Sequence, residues 1–268
     1  MTQFLKSFQQ QRSHFKLTWY FVKKDILLRY RGSVLGGTWA ILSPLIMLGL
    51  YTFVFQYIFK SRWVNEINGH FDFALNLYAG LLIFNWFAEC ASRAPRLILE
   101  QPYLVNKVVF PLPVLGWAAV MTAGVQMFLS LCLLLLAALI SGYPMTPYML
   151  LTPWVPLLLL PWLLSVVWLL SGLGVFLRDL SQILPMFVTF VMFCSPIFYP
   201  VKALPERIQF LAYLNPLTWG IELLRDLIFN PLSVDAWGLI FCFLIGSICA
   251  WLSYKIFHRL SYHFADVL

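Results

Sequence analysis

Charge is what this sequence has least of. Asp, Glu, Lys and Arg make up 11% of its 268 residues, while 61% are hydrophobic and 18% aromatic. Soluble domains carry about a quarter charged residues, so this chain has too little polar surface to clothe a water-soluble globule and reads as an integral membrane protein. Other absences narrow its chemistry. No Gly-Lys pair occurs anywhere, hence no G-x-x-x-x-G-K-[ST] loop to cradle nucleotide phosphates. H-E-x-x-H and G-x-S-x-G are missing too, as are paired carboxylates in mid-span, which leaves an intramembrane hydrolase or transferase without its reacting groups. The five cysteines (Cys90, Cys132, Cys194, Cys242, Cys249) form no C-x-x-C, and the four histidines are scattered, so we expect free thiols and no metal or other cofactor on this chain. The first 20 residues hold Lys6, Arg12 and Lys16 without an apolar core or cleavage site, and the first span is expected to act as its own insertion signal. The net charge of +7 lies beside hydrophobic runs, the pattern of a membrane flank, and we expect no nucleic-acid partner.

What is present is a series of long uncharged runs. Between Arg31 and Lys60 lie 28 residues without a formal charge, and about 20 apolar residues cross a hydrocarbon core of roughly 30 Å. Gly32, Gly36 and Gly37 at the start of this first span can bend the chain or admit a close neighbour. Before it, residues 13–31 interleave Phe15, Trp19, Val22, Ile26 and Tyr30 with Lys16, Lys23, Lys24, Arg29 and Arg31, the spacing of an amphipathic helix lying in the membrane interface. A second span is expected over Phe73–Ala91, with Glu89 near a solvated end rather than in a proton relay. Residues 92–113 form a basic, proline-bracketed loop with room for one short helix. From Lys107 to Arg178 the chain runs 70 residues without a charge, broken by the Gly and Pro of residues 141–148, so spans three and four are expected over Val114–Ile140 and Met149–Phe176. Span five follows over Gln182–Tyr199 and the last over Ala236–Tyr254.

Residues 200–235 are apolar enough to suggest a further span, but Pro216 and the cluster Glu222, Arg225, Asp226 cut them into halves too short to cross. We therefore expect a re-entrant helical pair between spans five and six. The fold class is an all-α, six-span, single membrane domain over residues 1–268. With both termini cytoplasmic, 13 of the 18 positive residues fall inside, as the positive-inside rule demands. The structured basic pieces on that side, residues 13–31 and 92–110, are where a partner carrying the missing nucleotide site is expected to dock. Arg93, Arg96, Glu100 and Lys107 would make the coupling loop.

The segments LLRYRGSVLGGTWAILSPL entering span one, LRD at Leu177–Asp179, SPIFYP at Ser195–Pro200, NPL at Asn215–Leu217, RDLIF at Arg225–Phe229 and the terminal SYHFADVL resemble, in order and spacing, the ABC-2 type permeases that export bacterial surface polysaccharide, O-antigen above all. The resemblance implies a homodimer in the bacterial inner membrane, driven by two copies of a separate ATPase that binds ATP and Mg, moving a lipid-linked glycan outward. Residues 1–31, with Trp19, Lys23, Lys24, Arg29 and Arg31, are expected to act as a gate segment leading into the first span, and Glu222, Arg225 and Asp226 to sit at a periplasmic gate on the re-entrant pair.

Sugars stack their C–H faces on aromatic rings while their hydroxyls stay hydrated, so a glycan conduit wants rings without fixed charge. Tyr51, Phe55 and Phe59 at i, i+4 and i+8 of span one, and Phe187, Phe190 and Phe193 of span five, are the candidate lining. Glu222, Arg225 and Asp226, within one helical turn, would neutralise one another or meet water at the exit. An ABC-2 exporter of teichoic acid, lipid or drug shares this architecture and stays open as the alternative.

Overall fold

A computed structural model describes residues 2–54, 72–106, 110–230 and 235–268. Among them the regular structure is helical: α1 (Thr2–Tyr30), α2 (Trp39–Thr52), α3 (Asp72–Arg93), α4 (Pro102–Asn106), α5 (Pro113–Ile140), α6 (Val155–Phe176), α7 (Leu180–Cys194), α8 (Glu206–Leu214), α9 (Pro216–Phe229), α10 (Ala236–Ser261) and α11 (Phe264–Val267). Four helical stretches are long and apolar enough to cross a membrane, Phe73–Arg96, Pro113–Ile140, Pro147–Phe176 and Ala236–Ser261. Two shorter apolar ones, Gly36–Thr52 and Leu180–Cys194, lie where spans one and five are expected.

Local chemistry sets the boundaries. Pro113 and Pro216 open α5 and α9 in the first turn, where a missing N–H costs nothing. The Asp235 carboxylate caps α10 by accepting from the Gly238 amide at 3.2 Å. Between α1 and α2 the chain turns through Gly32 and Gly36, at φ +83° and +50°, values that side-chain-bearing residues avoid. α10 runs on to Ser261, past Lys255 and Arg259, which were expected just beyond its end. Lys255 keeps its ammonium over the Trp251 ring, 3.5 Å from the centroid.

The core is built around α3, whose Leu77, Ala79, Ile83 and Cys90 are all but sealed from solvent. α5 packs along α3, α6 along α5, and α10 packs on α6, from Trp162 at one end to Gly172 at the other. α9 is inserted between α3 and α6. The loop after α3 folds back on the same bundle: Ala94–Arg96 form a 3-10 turn against α6 so close that a Cβ added to Gly174 would lie 2.4 Å from the Pro95 carbonyl oxygen. Only glycine fits there.

Candidate functional site

Two junctions and one cleft draw together polar side chains from several helices. The first junction ties α1 to the bundle. Thr18, Phe21 and Val22 form its buried face, with Phe21 meeting Phe110 edge-on at 5.6 Å. Of the stripe expected in the membrane interface, Val22 is buried against the bundle while Phe15 and Trp19 are exposed, and Phe21, outside that stripe, seats against Phe110 just before α5. Beyond that face two ion pairs reach α3. Arg93 Nη2 donates to Asp25 Oδ2 at 2.8 Å, and Arg29 Nη2 to Glu89 Oε1. Burial opposes the Arg29 charge, yet the hydrogen bond and attraction of Glu89 outweigh it and raise its pKa. Tyr30 donates to Gln126 Oε1 at 3.1 Å, and Gln126 Nε2 donates on to the Ala40 carbonyl at 2.8 Å, so one amide of α5 holds both α1 and the start of α2.

Arg29 and Arg93, read from sequence as a gate residue and a docking residue, thus meet carboxylates of their own chain. Glu89 sits at a partly exposed helix end as expected. Lys23 lies 5.8 Å from the Trp19 ring centroid and Lys24 lies 5.5 Å from that of Phe21, while Arg31 is exposed. In the coupling loop, Arg96 and Glu100 are exposed, and Lys107 lies outside the described residues.

The second junction is centred on Arg225. Its guanidinium, 5% exposed, donates from Nε to the Asn76 carbonyl at 3.1 Å, from Nη1 to Pro196 O at 2.6 Å and Glu222 Oε1 at 3.0 Å, and from Nη2 to Ile197 O at 2.8 Å. One side chain thereby ties α9 to α3 and to the turn that ends α7. Asn215, between α8 and α9, caps α9 by accepting from Leu217 N at 3.0 Å and donates to Ser195 Oγ at 2.8 Å. The segments Ser195–Pro200, Asn215–Leu217 and Arg225–Phe229, far apart in sequence, therefore converge. The expected pairing of Glu222 with Arg225 is present, but Arg225 does not meet water: backbone carbonyls desolvate and satisfy it. Asp226 is half-buried beside it.

The cleft lies between α2, α3 and α5. It measures about 200 Å³, and its polar walls are Ser43, Tyr51, Tyr78, Asn85, Gln126 and Ser130, with Glu89 at one end. Tyr51, expected on a channel, faces this cleft; Phe55 and Phe59 lie outside the described residues. Phe187, Phe190 and Phe193 are 52, 64 and 63% exposed on the outer face of α7. Sequence reading missed the cleft, although Tyr78, Asn85 and Glu89 at intervals of 7 and 4 along α3, and Gln126 and Ser130 along α5, put polar groups on single faces of otherwise apolar helices.

Several helices long and apolar enough to cross a membrane define a multi-pass membrane protein, in whose sequence no phosphate-binding loop occurs. Residues 16–229 match the ABC-2 type transporter family, and the chain belongs to it. Among its relatives is an O-antigen export system permease protein RfbA of Klebsiella pneumoniae, 26% identical over 95% of both chains. A protein of the same name from Myxococcus xanthus is 26% identical over 91% of this chain and 92% of its own. The polysialic acid transport protein KpsM of Escherichia coli is 25% identical over 76% of this chain and 77% of its own.

Proposed function

We propose that this chain is the permease subunit of an ATP-driven exporter that moves a lipid-linked, O-antigen-like polysaccharide across the bacterial inner membrane. The observation that carries this reading is the end-to-end similarity to permeases named for polysaccharide export. The missing phosphate-binding loop assigns ATP and Mg to a separate ATPase, two copies of which serve a homodimer of six-span subunits. Both termini are cytoplasmic in this arrangement, and the helices Glu206–Leu214 and Pro216–Phe229 form the periplasmic re-entrant pair expected within residues 200–235.

The aromatic-lined path is supported by the outward rings of α7: three half-exposed phenylalanines on one short helix leave a face suited to stacking on sugar once a second copy closes the path. Arg96 and Glu100, exposed on a loop pressed against α6, are the docking residues that remain free of the α1 contacts. Deleting the gene should abolish surface polysaccharide, and the restored chain should co-purify with an ATPase whose turnover rises with lipid-linked glycan. Normal surface polysaccharide in the deletion strain would overturn the assignment.

A further inference from the structure

Of the residues expected along the export path, the cleft between α2, α3 and α5 holds Tyr51 alone, and none of the docking loop. Its volume of about 200 Å³ is more than ten times the ~15 Å³ that one water requires. At its wall the Tyr78 hydroxyl, in a residue only 4% exposed, makes no hydrogen bond of good geometry, with the Ser130 hydroxyl as its polar neighbour. A phenol buried among apolar helices without a partner is costly, so the geometry points to a guest that supplies one.

The chemistry of the wall says which kind. No Lys, Arg or His lines the cleft, and its one carboxylate, Glu89, is already paired with Arg29. Nothing there recognises phosphate or a free cation. The Gln126 amide is engaged by Tyr30 and Ala40, which leaves the Asn85 amide, the hydroxyls of Ser43, Tyr51 and Tyr78, and the Ser130 oxygen, whose own hydrogen goes to the Gln126 carbonyl; together they offer donors and acceptors, which is what a vicinal diol or triol needs. Tyr51, Tyr78 and Trp86 add rings for a C–H face. We propose that this cleft is a subsite for a single uncharged sugar ring, distinct from the outward rings of α7. The inference rests on the polysaccharide reading for the source of the sugar. A glycerol headgroup from the surrounding lipid offers the same hydroxyl chemistry, and the experiment separates the two.

The full chain with its ATPase, in nanodiscs, would carry Ser43→Cys, and the rate of maleimide labelling at position 43 would be read by mass spectrometry, with the exposed Cys132 as internal reference. Glucose, mannose, rhamnose and N-acetylglucosamine form one arm and lysophosphatidylglycerol the other. At least one sugar should slow labelling at 43 and leave Cys132 unchanged. Tyr78→Phe, which keeps the ring, should raise the sugar concentration for half-protection about fivefold, the worth of one hydrogen bond. Protection by the lysolipid alone, protection by none of the probes, or equal protection of the Tyr78→Phe chain would each overturn the proposal. Because labelling reads binding and not export, failure here in a chain that restores surface polysaccharide overturns the subsite alone, whereas protection in a chain that exports no polysaccharide overturns the export reading alone.

Discussion

Arginine holds both junctions of this molecule, and does so in opposite ways. Arg225 is buried and spends its planar fork on three backbone carbonyls and one carboxylate from three parts of the chain. Arg29 and Arg93 each meet one carboxylate across α1 and α3, with side chains 30 and 35% exposed. A guanidinium enclosed by carbonyls cannot leave without stranding them, so that contact is permanent on the timescale of the fold. A half-exposed ion pair trades its partner for water at little cost, typically below about 1 kcal/mol. The same residue type fixes α9 in the bundle and clasps α1 loosely to it.

This contrast can be broken at the strong end first. Arg225→Met should lower stability by about 3–5 kcal/mol, because the carbonyls of Asn76, Pro196 and Ile197 and the Glu222 carboxylate lose their donor together. Thermal unfolding of the purified chain would measure it, and Arg225→Lys should rescue little, since an ammonium lacks the fork. An unchanged melting temperature would mean that the junction is not what secures α9.

At the α1 junction the effect is smaller. Asp25→Asn combined with Glu89→Gln should cost about 1–2 kcal/mol and speed amide exchange along α1 while α9 stays protected. Exchanging the partners, Arg29→Glu with Glu89→Arg, should restore much of the protection; failure of the exchange would show that packing of Phe21 and Val22, not charge, keeps α1 in place. Salt sharpens the comparison further. Between about 0.1 and 1 M the screening length falls from ~10 to ~3 Å, so exchange in α1 should quicken and exchange in α9 should not.

The least disturbance to the fold is expected from Phe187→Ala, Phe190→Ala and Phe193→Ala, since exposed positions usually change stability by less than about 0.5 kcal/mol each. The triple variant should still insert and bind its ATPase while surface polysaccharide is lost. Normal export would assign these rings to lipid.

Four of the six expected spans were legible because membrane crossing leaves a one-dimensional signature. Uncharged runs bounded by Arg, Lys, Gly and Pro gave Pro113–Ile140 to within a residue, and the Gly and Pro of residues 141–148 marked the break before the next span. The two short helices at Glu206–Leu214 and Pro216–Phe229 were legible for the same reason: Pro216 interrupts an apolar run too short to cross twice. What stayed hidden was pairing across distance. That Arg225 would share a helical turn with Glu222 follows from spacing, but its bonds to the carbonyls of Asn76 and Pro196 do not, since every residue has a carbonyl and sequence marks none of them. Arg29 and Arg93 read as partner-facing for the related reason that a lone sequence cannot tell an intramolecular carboxylate from an external one. That Phe21 seats against Phe110 is likewise a tertiary fact that helical periodicity cannot contain.

The contact between Gly174 and Pro95 has a mechanical consequence. Most loops meet a helix through long side chains, which bend and absorb displacement. Here main chain rests on main chain, and close-packed backbone has little compliance. A push of even a fraction of an ångström on residues 94–96 from outside the bundle is therefore handed to the axis of α6, and through it to α10, which packs against it from Trp162 to Gly172. The missing methyl at position 174 makes this a stiff coupling: a bulkier residue there would lift the loop off the helix and put a spring where there is now a rod.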